Sequence, residues 1–380
     1  MTAPREAKPA GLEDVVATSS AICYIDGERG TLAYRGYDIH DLAAYATFEE
    51  VCFLLWNGRL PARSELGELQ SQLAAARPLP DGVVRLMRSL PPVHAMDTLR
   101  TLASALGHFD QDAPDASANA NYRKAGRLTA QLGSVVATMG RLEAGGGMIA
   151  PDPAMGFAAN FLYMLTGNRP DALSVKAFDV ALVLHADHEL NASTFAARVA
   201  AATLTDMHSA IVAGIATLKG PLHGGANADV MKMLLDFGPS AEPGRVEDAI
   251  RARLARREKI PGFGHRVYRT MDPRAVHLRQ MSRDLGRRIG QPHWFEMSER
   301  IEAVVKAEKK LNPNVDFYSA STYHALGIPV ELFTPIFAVS RCAGWTAHVL
   351  EQFANNRLIR PRAEYTGPPV PQLWIPLEQR

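Results

Sequence analysis

A chain of 380 residues has room for two domains, or for one large body with a smaller lobe, around a sizeable core. Its 47% hydrophobic and 21% charged residues exclude a disordered chain, and no run approaching about twenty apolar residues is present to span a membrane. A formal net charge of +1 gives no global attraction for nucleic acid or an anionic bilayer, so an anionic ligand must be met by local clusters.

Met1 to Ala10, interrupted by Arg5 and Lys8, lacks the apolar stretch of a signal peptide. The cysteines, Cys23, Cys52 and Cys342, stand too far apart for a disulfide framework or a CxxC zinc site. A reducing, cytoplasmic setting is expected. Ser20 to Ile25 and Thr31 to Tyr34 flank Asp26-Gly27-Glu28-Arg29-Gly30 and predict a β-hairpin. From Asp41 onward apolar residues recur at helical spacing, and Thr47 with Glu50 predicts a capping box ahead of Val51, Leu54 and Leu55. Pro61, Pro78, Pro80, Pro91 and Pro92 divide this half into helices; residues 111–120 and 145–147 read as loops, the latter without a P-loop lysine. Leu173 to His188 and Thr194 to Leu218 are alanine-rich, which suits a deep core or a subunit interface, or simply good helix propensity. After His223 the helices turn charged and amphipathic, as in Val246 to Lys259 and Met297 to Leu311, which predicts a second lobe. Residues 328–341 become apolar again, so the chain returns to the first lobe for a last helix, Thr334 to Ala354, followed by an extended, proline-rich tail.

Five segments carry chemistry. Gly220-Pro221-Leu222-His223-Gly224-Gly225-Ala226-Asn227 holds a histidine between a proline turn and two glycines after an apolar helix. It reads either as a helix-to-helix turn or as a cavity-facing imidazole suited to an oxyanion, with glycines that let backbone approach a ligand. In Leu184 to Asn191, His185 and His188 lie three apart and share a helical face; the choices are a metal, a capped polar helix end, or an anion-facing histidine, and the missing HExxH order argues against the metal. Pro261-Gly262-Phe263-Gly264-His265 again presents a histidine after glycines, without the GxGxxG spacing of a dinucleotide site, and Arg266, Arg269 and Arg274 suit phosphates, carboxylates or a solvated face. Asp316, in Asn312 to Ser319, is either a helix N-cap or a base whose pKa the flanking Val315 and Phe317 raise. Arg341 lies inside an apolar helix and therefore needs a carboxylate partner, from protein or ligand. The basic stretch Arg251, Arg253, Arg256, Arg257 and Lys259 suits a polyphosphate or a solvated face.

In this order the segments resemble the citrate synthase family. The likeness runs from Gly11-Leu12-Glu13-Asp14-Val15-Val16 through Arg35-Gly36-Tyr37-Asp38, His188-Glu189, Gly220 to Asn227, Pro261 to His265, Asn314-Val315-Asp316 and Ser340-Arg341 to Arg360-Pro361-Arg362. It implies an all-α, two-domain fold with a small N-terminal β-hairpin: a large dimerisation domain of residues 1–223 and 331–380, and a small domain, 224–330, that binds CoA and closes over the site. It implies that His223 hydrogen-bonds the thioester carbonyl of acetyl-CoA, Asp316 removes a methyl proton and His265 polarises the keto group of oxaloacetate. His188, Arg274 and Arg341 would bind the dicarboxylate with Asn191, and Arg360 would come from the partner subunit of a homodimer. Pro261, Gly262, Phe263, Gly264 and Arg269 would hold CoA. Acetyl-CoA is then a co-substrate, and neither cofactor nor metal is implied. Glu189-Leu190-Asn191 departs from the glycines of mitochondrial-type members, and the chain lacks the N-terminal extension of hexameric, NADH-inhibited ones, which implies a simple dimer.

The expected reaction is condensation of acetyl-CoA with oxaloacetate, then thioester hydrolysis to citrate. Within the family, the same residues serve 2-methylcitrate synthesis from propionyl-CoA. Outside it stand a metal-dependent hydrolase built on His185, Asp187, His188 and His223, and a non-enzymatic helical scaffold.

Overall fold

A computed structural model describes Gly11 and residues 15–380. The expectations resting on Met1 to Ala10 and on Leu12-Glu13-Asp14 lie outside the described residues. Among these there are sixteen α-helices and one small sheet, so the fold is all-α. The sheet is antiparallel, β1 (Cys23–Asp26), β2 (Thr31–Tyr34) and β3 (Tyr37–Asp38), in that order. Its first pair runs in the register Cys23 opposite Tyr34 to Asp26 opposite Thr31. The third strand escaped the sequence because two residues cannot show an alternating pattern.

The helices are α1 (Ile39–Tyr45), α2 (Phe48–Asn57), α3 (Arg63–Ala76), α4 (Asp81–Ser89), α5 (Ala95–Leu106), α6 (Ala118–Glu143), α7 (Phe157–Thr166), α8 (Ala172–His185), α9 (Ala192–Ala201), α10 (Met207–Leu218), α11 (Ala226–Phe237), α12 (Pro243–Ala255), α13 (Pro273–Arg288), α14 (His293–Lys309), α15 (Val315–Ala325) and α16 (Phe333–Ala354). Local chemistry explains their ends. The Thr47–Glu50 capping box forms at α2, which stops at Gly58 in the left-handed conformation. The alanine-rich run expected over 194–218 is two helices. Leu204 takes φ +65°, and Asp206 then caps α10 by accepting from Ser209 N–H at 2.9 Å.

Helix α16 is the axis of the molecule, buried along most of its length and packed on α2, α6, α8, α9 and α10. Alanines along α9 and α10 let that pair pack closely beside it. A second group, α11 to α15, packs largely on itself, and α13 touches the first group through α1 and α8. No helix among the described residues is long and apolar enough to cross a membrane.

Candidate active site

The hairpin, an oddity in a helical protein, ties two loops together. From β2, the buried Tyr34 hydroxyl donates to the Asp187 carbonyl at 2.9 Å and accepts from the Asp187 N–H at 3.2 Å, pinning the chain just after α8. At the other end, the Gly27 carbonyl accepts from Arg269 N–H at 2.9 Å. A Cβ on Gly27 would lie 2.2 Å from the Val267 carbonyl oxygen, so only glycine permits this approach. Residues 185–189 and 265–269 are thereby held side by side.

Helix α8 ends at His185, so His185 and His188 do not share a helical face. Glu189 turns the chain at φ +52°. His185 packs edge-on to Phe337, its Nδ1 2.7 Å from the Ala181 carbonyl and its Nε2 buried without a partner. His188 points the other way, its Nε2 3.2 Å from Tyr268 Oη and its ring centroid 5.2 Å from that of His265. Burial, reinforced by Arg274, His265 and Arg341, pushes the His188 pKa far below its usual range. Asp187 is fully buried and faces His348 at 3.3 Å; although burial opposes its charge, His348 and Arg341 hold its carboxyl below the ordinary value. The four-residue grouping of a metal hydrolase is not assembled, since His185 and His223 turn to different partners.

His223 lies in the turn before α11, its Nε2 2.8 Å from Ser193 Oγ and accepting from Ser193 N–H at 3.2 Å. Burial and then Arg341 lower its pKa to about 4, leaving it neutral at pH 7. His265 is likewise lowered to about 4, by burial and then Arg274. Its Nδ1 accepts from the N–H groups of Val267 (3.0 Å) and Tyr268 (3.2 Å), so Nε2 carries the proton and is a donor.

The segment before His265 is spliced onto the start of α15. Gly264 N–H donates to Asn312 O at 3.0 Å, Asn314 N–H to Gly262 O at 2.9 Å, and Asn314 Nδ2 to Gly264 O at 2.9 Å. Phe263 packs on Phe317 with centroids 4.5 Å apart. Gly262 sits at φ +80° with a Cβ position 2.8–2.9 Å from Val230 and Phe317 side-chain atoms, which demands glycine. In this segment, expected to hold CoA, the Gly262 carbonyl and both backbone groups of Gly264 join His265 to the start of α15. Pro261 is half-buried beside them, and Arg269 stays exposed.

Asp316 is not the N-cap. Asn314 caps α15, accepting from Asp316 N–H at 3.0 Å, which frees the Asp316 carboxyl. The residue keeps some surface, yet the surrounding protein desolvates its carboxyl and raises its pKa to about 6 although Arg274 and Arg341 pull it down. No described residue donates to it.

Two arginines complete the cluster. Arg274 forms a buried, bidentate pair with Asp272, Nε–Oδ1 at 2.9 Å and Nη2–Oδ2 at 2.8 Å; burial opposes its charge, but Asp272 prevails and raises its pKa. Its expected duty toward a ligand carboxylate is thus shared with a protein carboxylate. Arg341 donates from Nε to His185 O at 2.7 Å, stacks over Phe337 and leaves Nη1 buried without a partner; burial lowers its pKa to about 10.

Asn191 was expected to touch the dicarboxylate, but its side chain is consumed as the cap of α9, with Oδ1 accepting from Thr194 N–H at 3.1 Å and Nδ2 reaching Thr194 Oγ1 at 2.9 Å. Arg360 is exposed on the extended tail. Sequence reasoning missed Tyr34, Ser193 and Trp345, which hold the loops and His223 from distant segments and carry no local signal. The result is three neutral imidazoles, one unpaired carboxyl of raised pKa and an arginine with an unmatched buried N–H. Such a set can grip a carboxylate, polarise carbonyl oxygens and remove a carbon-bound proton.

A family model described as citrate synthase, C-terminal domain, matches residues 11–362. The chain is 54% identical to citrate synthase 2 of Bacillus subtilis over the whole of both chains. It is 42% identical to 2-methylcitrate synthase of Shewanella oneidensis over 98% of each. Its fold matches the citrate synthase of Thermoplasma acidophilum, solved as a ternary complex with carboxymethyl coenzyme A and oxaloacetate, with a TM-score of 0.91 at 32% identity over 97% of this chain and 98% of that one. The chain belongs to the citrate synthase family.

Proposed function

We propose that this enzyme condenses acetyl-CoA with oxaloacetate and hydrolyses the citryl thioester to citrate and CoA. The observation that carries the reading is Asp316: a carboxyl free of hydrogen bonds and raised to about 6, on the helix whose Asn314 cap is bonded to the segment that presents the neutral His265. A thioester methyl is a weak acid, so a base of modest strength needs its developing enolate stabilised at the moment of transfer. His223, neutral and held at Nε2, would donate from Nδ1 to the thioester oxygen. His265 would donate from Nε2 to the keto oxygen, and the enolate carbon then bonds the keto carbon. Arg274, Arg341 and His188 would hold the two carboxylates and fix that carbon for attack.

Division into a large domain, 1–223 with 331–380, and a small domain, 224–330, suits this chemistry. His223, at the border, and Asp316, on the small domain, would meet over the substrate when the cleft closes and water is excluded. A homodimer in which Arg360 crosses to the partner's site accounts for an exposed arginine on a tail rich in exposed apolar side chains such as Leu373 and Trp374. Arg269 and the basic stretch from Arg251 to Lys259 suit CoA phosphates. The three free thiols suit a reducing cytoplasm.

The test is thiol release from acetyl-CoA and oxaloacetate, with kcat/KM compared against propionyl-CoA. One methylene is worth about 1–3 kcal/mol in an apolar pocket, so the ratio decides the acyl preference. Absence of thiol release with either thioester overturns the assignment, and a ratio favouring propionyl-CoA by about tenfold makes the enzyme a 2-methylcitrate synthase.

A further inference from the structure

Ser193 sits at the centre of a contest for a single proton. Its Oγ lies 2.8 Å from His223 Nε2 and 2.7 Å from Asn191 Oδ1, and one hydroxyl proton serves only one of them fully. From a third direction the buried indole of Trp345 donates to Oγ at 3.1 Å. An indole N–H only donates, so it occupies a lone pair of Oγ and turns the O–H into the arc between Asn191 and His223. Asn191 Oδ1 has its orientation set by the Thr194 N–H it caps. Two arrangements follow. In one, Ser193 gives its proton to Nε2, whose lone pair also receives the Ser193 N–H, and the ring proton sits on Nδ1. In the other, Ser193 gives its proton to Asn191, Nε2 carries the ring proton and faces the Ser193 N–H donor to donor, and Nδ1 is bare.

We propose that Trp345 and Asn191 are positioning residues that set the tautomer of His223 through the Ser193 hydroxyl. Donation by Trp345 makes the O–H a stronger donor, and the imidazole nitrogen, a better acceptor than an amide oxygen and already facing the Ser193 N–H, takes it; this favours Nδ1–H, the form that can donate to a thioester oxygen. Asn191 is a neutral, weak competitor; a carboxylate in its place would win the proton. The catalytic meaning rests on the function proposed above, whereas the tautomer itself is a property of the unliganded protein.

Asn191→Asp preserves the Oδ1 cap, since aspartate caps as well as asparagine, and gives up the Nδ2 donations to Thr194 Oγ1 and the His188 and Glu189 carbonyls. It is expected to lower kcat by about 10- to 10²-fold, approaching the loss of one oxyanion donor, with KM for oxaloacetate within about twofold. In protein labelled with 15N-histidine, the His223 signals, identified by their loss in His223→Ala, should change from the Nδ1–H to the Nε2–H pattern. Trp345→Phe, which keeps the ring and removes the donor, should shift both readouts the same way by less. An unchanged nitrogen pattern in Asn191→Asp overturns the proposal, whatever happens to kcat. If wild-type enzyme releases no thiol but the pattern shifts, the proposed function fails while the tautomer control stands.

Discussion

The Nε of Arg341 donates to the carbonyl oxygen of His185 at 2.7 Å, which points the rest of its fork into the cluster and leaves Nη1 buried and unmatched. A buried charge with an unmet donor is costly, and a ligand carboxylate relieves that cost. Arg341→Gln is therefore expected to raise KM for oxaloacetate by about 10²-fold or more. It should also abolish most of the rise in melting temperature that oxaloacetate gives the wild type. An unchanged KM would remove Arg341 from the substrate site.

Asp316 is expected to act as its carboxylate, so kcat/KM should fall as pH drops through about 6. Asp316→Asn should lower kcat by about 10² to 10³ and lose that acid limb. Stability moves the other way. The folded pKa lies above the ordinary value, so the folded state holds the proton longer, and stability declines as pH rises from about 4 to about 6. The asparagine variant would escape this decline, making it more stable than wild type at pH 8 by about 1–2 kcal/mol in urea unfolding.

The same sign applies to Asp179, on α8. Burial, with Glu49 nearby, raises its pKa to about 7, while its Oδ1 accepts the Phe48 N–H at 3.1 Å. Asp179→Asn keeps that acceptor and removes the charge. It should stabilise the protein by about 1–3 kcal/mol at about pH 8.5 and by almost nothing near pH 4. Activity should be unaltered. Equal unfolding curves for variant and wild type at the higher pH would contradict a charged Asp179.

Arg360 calls for mixed dimers. Subunits carrying Arg360→Ala and Asp316→Asn are each expected to be nearly inactive as homodimers, while a heterodimer should regain about one functional site in two. Recovery of activity on mixing and refolding, followed by thiol release, checks it; no recovery places Arg360 outside the partner's site.

Much of the site was legible in one dimension because its chemistry demands particular residue types in short, constrained settings. Glycine at 262 is a local necessity and carries His265 with it, whereas the cap of α15 fell to Asn314 rather than to Asp316, the N-cap that the sequence offered. The capping box at Thr47 and the extent of α16 were readable for the same reason, whereas α12 and α14 begin at Pro243 and His293, ahead of the Val246 and Met297 expected. Where a helix stops was harder. The break at Leu204 and the end of α8 at His185 depend on what the next turn would collide with.

By itself, then, the order of residues determined an all-α chain and its hairpin, and it singled out the histidines, aspartate and arginines of the candidate site. Only the tertiary structure decided what those groups do to one another. Asn191 became the cap of α9, Arg274 took Asp272 as a partner, and Ser193, Tyr34 and Trp345 entered as the supports of His223 and the α8 loop. Hydrogen bonds between residues some 150 positions apart, such as Trp345 to Ser193 and Tyr34 to Asp187, leave no trace in local spacing. They arise when burial forces each polar atom to find a partner among whatever the packed helices bring near.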